Sequence, residues 1–160
     1  MALRSIRVDD DPCLYKVCRP VESFDSRLSQ LIDDMFDTMA DADGCGLAAP
    51  QIGILRRVVV IDTGEDRMEL VNPEIIESHG TYGDMEGCLS FPGKSGYVER
   101  ASHVRVRGYD RHGEMHEYDT EMLTARAVQH ELDHLDGLVY LRLKTEPPED
   151  FVKQQQEDEA

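Results

Sequence analysis

The sequence predicts an α+β fold in which antiparallel β-sheets pack around one central helix, with an amphipathic helix near the N-terminus. Three observations predict it. A helical stripe comes early, several strand-like segments follow, and a second helical stretch comes late. That order suits helices segregated from an antiparallel sheet, not helices alternating with a parallel one. At 160 residues the chain fits one domain with a core of its own.

The early stripe is Leu28, Leu31, Ile32, Met35, Phe36 and Met39, at helical spacing behind the capping candidates Ser23 and Asp25. This helix should end near "DADGCG", and its stripe is core. "RRVVVID" and "MELVNPEII" read as strands. In "HVRVRGYDRHGEMHEYD", Val104 and Val106 alternate with Arg105 and Arg107, and "DRHG" turns the chain back into a hairpin. From about Thr120, Leu123, Ala127, Val128 and Leu132 restore a helical period that closes at Gly137. Pro147 and Pro148 stop regular structure. Residues 1–144 are therefore expected as the folded domain, and 145–160 as a mobile acidic tail with at most a short helical turn.

The formal net charge is −16. The stretch "TEPPEDFVKQQQEDEA" holds six acids against Lys153, a net of −5, which leaves −11 for the rest. Such a balance argues against nucleic acid or an anionic membrane as partners through bulk charge, and says little about a small or peptide substrate. No apolar run approaches the roughly 20 residues of a membrane span. "MALRSIRVDDDP" is too short and polar for a signal or transit peptide, so a cytoplasmic setting is expected. There the four cysteines (Cys13, Cys18, Cys45 and Cys88) read as thiols or ligands rather than a disulfide framework.

The late helix carries "QHELDHLDG", which holds His-Glu-x-x-His. His130 and His134 are four residues apart, so both imidazoles lie on one face and can reach one cation. Glu131 points to the side, where a carboxylate can take the proton of a water whose pKa the metal lowers to about 7. A catalytic site normally needs a third protein ligand and an open position. Downstream, the longer protease pattern asks for a histidine where Tyr140 stands, and no histidine follows His134. Glu146 and Glu149 lie beside two prolines a few residues past the helix. Upstream, "GDMEGCLSFPG" offers Cys88, with Gly87 allowing close backbone approach. A lone cysteine is more commonly a small buried hydrophobe, and on Cys88 alone that reading stays open. A third stretch, "GCGLAAPQIG", combines small residues that let a substrate backbone approach with Gln51, whose amide can donate to a developing oxyanion.

Taken together, "GCGLAAPQ", "EGCLS" and "QHELDHLDG" resemble the three motifs of the peptide deformylase family, in its order and at its usual separations. The likeness runs from about Ser5 to Leu143. It implies that residues 1–144 form a metal-dependent hydrolase removing the formyl group from the N-terminal formylmethionine of nascent polypeptides and releasing formate. By the resemblance, Cys88, His130 and His134 bind one divalent metal per chain, with water in the fourth position. Fe(II) is favoured, and Zn, Ni or Co suit the same thiolate and imidazole set. Glu131 would act as general base and then general acid, while Gln51 and the Leu89 N–H hold the oxyanion. Cys45, Leu123 and Ala127 would line the methionine pocket, and Gly44, Gly46 and Gly87 would lie along the peptide backbone. Glu86 and Arg100 resemble a supporting salt bridge that orients the Cys88 loop. Work on nascent chains admits transient contact with the ribosome.

Two positions depart from the family pattern. Met122 stands where glycine is common, and Ser95 where arginine is common. His79, His103, His112 and His116 match no motif and read as surface or hairpin residues. Two other readings compete. A zincin-type endopeptidase is weakened by Tyr140, and a non-catalytic metal or redox module would need neither Glu131 nor Gln51.

Overall fold

The computed structural model describes residues 2–159. Among them, three α-helices, α1 (Ser26–Asp41), α2 (Met122–Leu135) and α3 (Glu149–Glu159), accompany seven strands. The strands are β1 (Gly46–Ala48), β2 (Val58–Asp62), β3 (Arg67–His79), β4 (Tyr82–Glu86), β5 (Gly96–Arg100), β6 (His103–Tyr109) and β7 (Met115–Glu121). One sheet runs β1-β2-β3-β6-β7 and a smaller one pairs β4 with β5; every pairing is antiparallel. The expected α+β class, with antiparallel sheets and a helix carrying His130 and His134, is the fold observed.

The larger sheet is covered on both faces at β2. Val58 and Val60 pack with the α1 stripe, whereas Val59 and Ile61 pack with Ala125, Val128, Leu132 and Leu135 of α2. This is why "VVVI" reads as an unbroken apolar run: a strand buried on both sides has no polar face. Each such side chain contributes about 1.5–3 kcal/mol by leaving water. Of the two capping candidates for α1, Asp25 is the cap, its Oδ1 accepting the Leu28 N–H at 3.1 Å.

Strand β3 runs beyond the expected "MELVNPEII" and absorbs its proline at an irregularity between Val71 and Glu74. Asn72 there has φ 51°, and its amide bonds both the N–H and the carbonyl of Val21. The β4–β5 hairpin was not legible as strands, because glycines and acids break any alternation. Pairing from Tyr82↔Arg100 to Glu86↔Gly96 makes it, and the loop that closes it carries Cys88.

Helix α2 begins at Met122, whose φ of 51° is left-handed. That conformation explains why glycine suits the position. The helix is followed by Gly137 at φ 74°, where a Cβ would meet the Tyr15 carbonyl at 2.7 Å. The turn and the close approach of the 12–16 segment both demand glycine. Beyond it, residues 149–159 form a helix of three turns where at most a short turn was expected. Pro147 and Pro148 precede that helix instead of interrupting it, and Glu149 and Asp150 suit its first turn. Phe151 packs edge-on against Tyr97, with ring centres 4.9 Å apart, and the Thr145 N–H donates to the Tyr97 carbonyl at 2.8 Å. Among the described residues no helix is long and apolar enough to cross a membrane.

Candidate metal centre

The α2 helix presents His130 and His134 on one face, and the β4–β5 loop brings Cys88 to them. One donor atom from each lies within 4.8 Å of the other two. The Cys88 Sγ is 3.3 Å from His134 Nε2. Donors sharing a tetrahedral cation with bonds of about 2.0–2.3 Å stand about 3.5 Å apart, so these residues fit a divalent ion. The two imidazoles differ in their surroundings. Burial drives His134 down to about 3, leaving it neutral with a free lone pair. Burial also disfavours charge on His130, but Glu131, Cys88 and Glu86 outweigh it and raise its pKa. The His130 Nδ1–H donates to Glu86 Oε1 at 2.5 Å, which leaves Nε2 for a ligand role.

Glu86 is the hub behind this face. Arg100 grips it with two bonds, Nε to Oε2 at 2.8 Å and Nη2 to Oε1 at 2.7 Å, and reaches Asp133 Oδ2 with Nη1 at 2.9 Å. Burial would raise the Glu86 carboxyl, yet hydrogen bonds from Arg100 and His130 hold it well below the usual carboxylate range. It is therefore an anion and an acceptor only.

Glu131 lies against Gly46. Its Oε1 is buried with no hydrogen-bond partner among the described residues, and burial pushes its carboxyl up to about 7. Gln51 is fully buried in the turn that follows β1 and is held by the end of that strand. Its Oε1 accepts the Ala48 N–H at 2.9 Å, so its Nε2 points at Ser90 Oγ, 3.1 Å away, and Cys88 Sγ, 3.5 Å away. The Leu89 N–H donates to no described residue.

These groups face one cavity of about 370 Å³. Of the site residues expected from the sequence, all line it except His134 and Arg100. Its mouth is apolar, with Met85 and Leu123 exposed, while Ala127 is buried deeper. Ser95, the second departure from the family pattern, is exposed on the Cys88 loop outside the cavity lining. Sequence reasoning missed Arg126, Asp133 and Tyr82. The signal for Arg126 was present: it precedes His130 by four residues, on the same helical face. Of the remaining histidines, His79 stacks on His103 and His116 bonds Asp110, all away from this cavity.

A helix-borne histidine pair, a cysteine and a buried glutamate without a partner among the described residues, beside a sheet edge, are the parts of a metal-dependent hydrolase of amide bonds. The family model for polypeptide deformylase matches residues 3–147. A peptide deformylase of Alkaliphilus metalliredigens is 56% identical over 140 residues, covering 88% of this chain and 95% of its own. One of Heliobacterium modesticaldum is 52% identical, covering 94% of this chain and 100% of its own. The crystal structure of peptide deformylase from Thermotoga maritima superposes with a TM-score of 0.88 at 40% identity, covering 91% of this chain and 100% of that one. The Legionella pneumophila structure gives 0.87 at 43%, covering 99% and 95%. The chain belongs to the polypeptide deformylase family.

Proposed function

We propose that Cys88, His130 and His134 are the ligands of one divalent cation, and that Glu131, Gln51 and the Leu89 N–H carry the chemistry beside it. The enzyme is a metal-dependent amidase that removes the formyl group from the N-terminal formylmethionine of nascent polypeptides and releases formate. One observation carries the assignment of roles. Three donor atoms lie within 4.8 Å of one another, and two of their residues, Cys88 and His130, share a cavity wall with Glu131, whose buried Oε1 has no partner among the described residues.

A bound cation supplies Lewis acidity and lowers the pKa of water to about 7. Glu131 takes up the proton of the attacking water and returns it to the leaving amine. The Gln51 Nε2, fixed by the grip of Ala48 on Oε1, and the Leu89 N–H donate to the oxyanion of the tetrahedral intermediate. Among the described residues strand β1 pairs only with β2, so its other edge at Gly46 can take the substrate backbone as an added strand, with Gly44 and Gly87 leaving room beside it. Cys45, Leu123 and Ala127 receive the methionine side chain. Arg100 and Glu86 hold His130 in place.

Among the cations that suit one thiolate and two imidazoles we favour Fe(II), with Zn, Ni and Co as the alternatives. Metal analysis of anaerobically purified protein decides between them. Residues 1–144 hold every group named and 145–160 none, so the acidic segment lies outside the catalytic unit. Work on nascent chains sets the enzyme in the cytoplasm and in passing contact with the ribosome.

The test is formate release from a formyl-Met peptide, run beside cleavage of an internal peptide bond. Formate without internal cleavage is the expected result. Internal cleavage without formate would restore the endopeptidase reading, and metal binding with neither product would restore the non-catalytic one.

A further inference from the structure

Arg126 belongs to none of the three motifs, yet it is 5% exposed and lines the substrate cavity. Its Nη1 donates to Glu86 Oε2 at 2.5 Å and its Nη2 to the Tyr82 carbonyl at 2.6 Å. Its guanidinium carbon lies 4.7 Å from the centre of the Tyr82 ring. With Arg100 and His130, this fills both oxygens of Glu86: Oε2 takes Arg126 and Arg100, and Oε1 takes Arg100 and His130. A carboxylate has about four lone-pair sites, so Glu86 has no freedom left to rotate.

The two arginines do different work. Arg100 stands on β5, so its two-pronged grip fixes Glu86 to its own hairpin. Arg126 stands on α2 one turn before His130, and ties that hairpin to the helix at both Tyr82 and Glu86. A position facing the helix core would ordinarily take an apolar residue, because a buried guanidinium is costly even when paired. Its Nε is left buried with no acceptor, a further cost of keeping a cation there.

We propose that Arg126 is a positioning residue for the metal centre. It sets the plane of Glu86, and Glu86 sets the rotation of the His130 ring. The same side chain forms part of the substrate cavity, so the cavity wall and the metal histidine are mechanically one unit. This inference rests on the reading of Cys88, His130 and His134 as ligands.

The test loads wild type, Arg126→Met, Arg126→Lys and Tyr82→Leu with Co(II). It reads the visible spectrum, the rate of Co(II) loss to excess chelator and the melting temperature. Wild type must first show a thiolate-to-cobalt band; without one, the ligand assignment itself falls. Given that band, Arg126→Met is expected to shift the ligand-field bands and weaken metal retention about 10–100-fold. Lysine keeps the charge without the fork, so Arg126→Lys should fall between Met and wild type. Tyr82→Leu removes the seat of the guanidinium and should move the spectrum in the same direction. A wild-type spectrum and wild-type chelator kinetics in Arg126→Met, even with a lowered melting temperature, would reduce Arg126 to a purely structural role. Should Arg126→Met not fold, wild-type spectra in both Arg126→Lys and Tyr82→Leu overturn the proposal equally.

Discussion

A methyl group on Gly46 would sit 2.5 Å from Oε2 of Glu131 and 2.9 Å from its Cγ. The glycine is thus the wall that Glu131 leans on. Its requirement comes from the carboxylate beside it, since Gly46 is extended like the rest of β1.

Gly46→Ala must therefore push Glu131 aside by about 1 Å, a displacement that can cost 10²-fold in rate. The expected result is a fall in kcat of about that size with metal content unchanged. A melting curve and metal analysis separate this from misfolding.

Glu131→Gln should keep the cation and lose about 10²–10⁴-fold in turnover, the usual contribution of a positioned acid–base group. Cys88→Ala should lose the cation as well. Metal content measured beside formate release distinguishes the two, and full turnover in Glu131→Gln would remove it as the proton carrier.

Gln51→Ala removes a donor aimed at the oxyanion and should lower kcat about 10²–10³-fold. It also strips the Ala48 N–H of its acceptor, at about 1–3 kcal/mol of stability. Chemical denaturation checks the second effect independently of the first.

Met122 adopts a left-handed conformation that costs an ordinary L-residue about 1–2 kcal/mol, while glycine returns about 0.4–1 kcal/mol of that through its looser unfolded chain. Met122→Gly should therefore stabilise the protein by about 0.5–1 kcal/mol. Thermal melting is the readout, with deformylation of formyl-Met peptides retained.

Asp34 offers a pH dependence remote from the candidate metal centre. Burial alone would raise its pKa, but hydrogen bonds from Gln30, Arg4 and the Ala2 N–H outweigh that and lower it. A depressed carboxyl stabilises the fold above the unfolded value near 3.9, and that contribution is lost as pH falls through the folded value. Arg4→Ala should cost about 1.5–3 kcal/mol near pH 7 and progressively less toward pH 3. Urea titrations at several pH values measure the convergence.

Residues close in sequence on a regular element were legible from the sequence alone. His130, Glu131 and His134 declared themselves because a helix places i and i+4 on one face, and α1 was readable because its stripe repeats at the helical period. The three motif segments together also pointed to Cys88 as the third ligand. The β4–β5 hairpin was not legible, since its residues become strands only by pairing with each other. Helical spacing put Arg126 on the His130 face, but not what it binds there, because its partner Glu86 lies forty residues away. Spacing along the chain thus determined that His130 and His134 can reach one cation, and the resemblance of the three motifs added Cys88 and the family. The tertiary structure alone decided how firmly those atoms are held. Burial strips the Glu86–Arg100–Arg126–His130 cluster of water, so its members depend on one another and on neighbours such as Asp133 and the Tyr82 carbonyl for their hydrogen bonds.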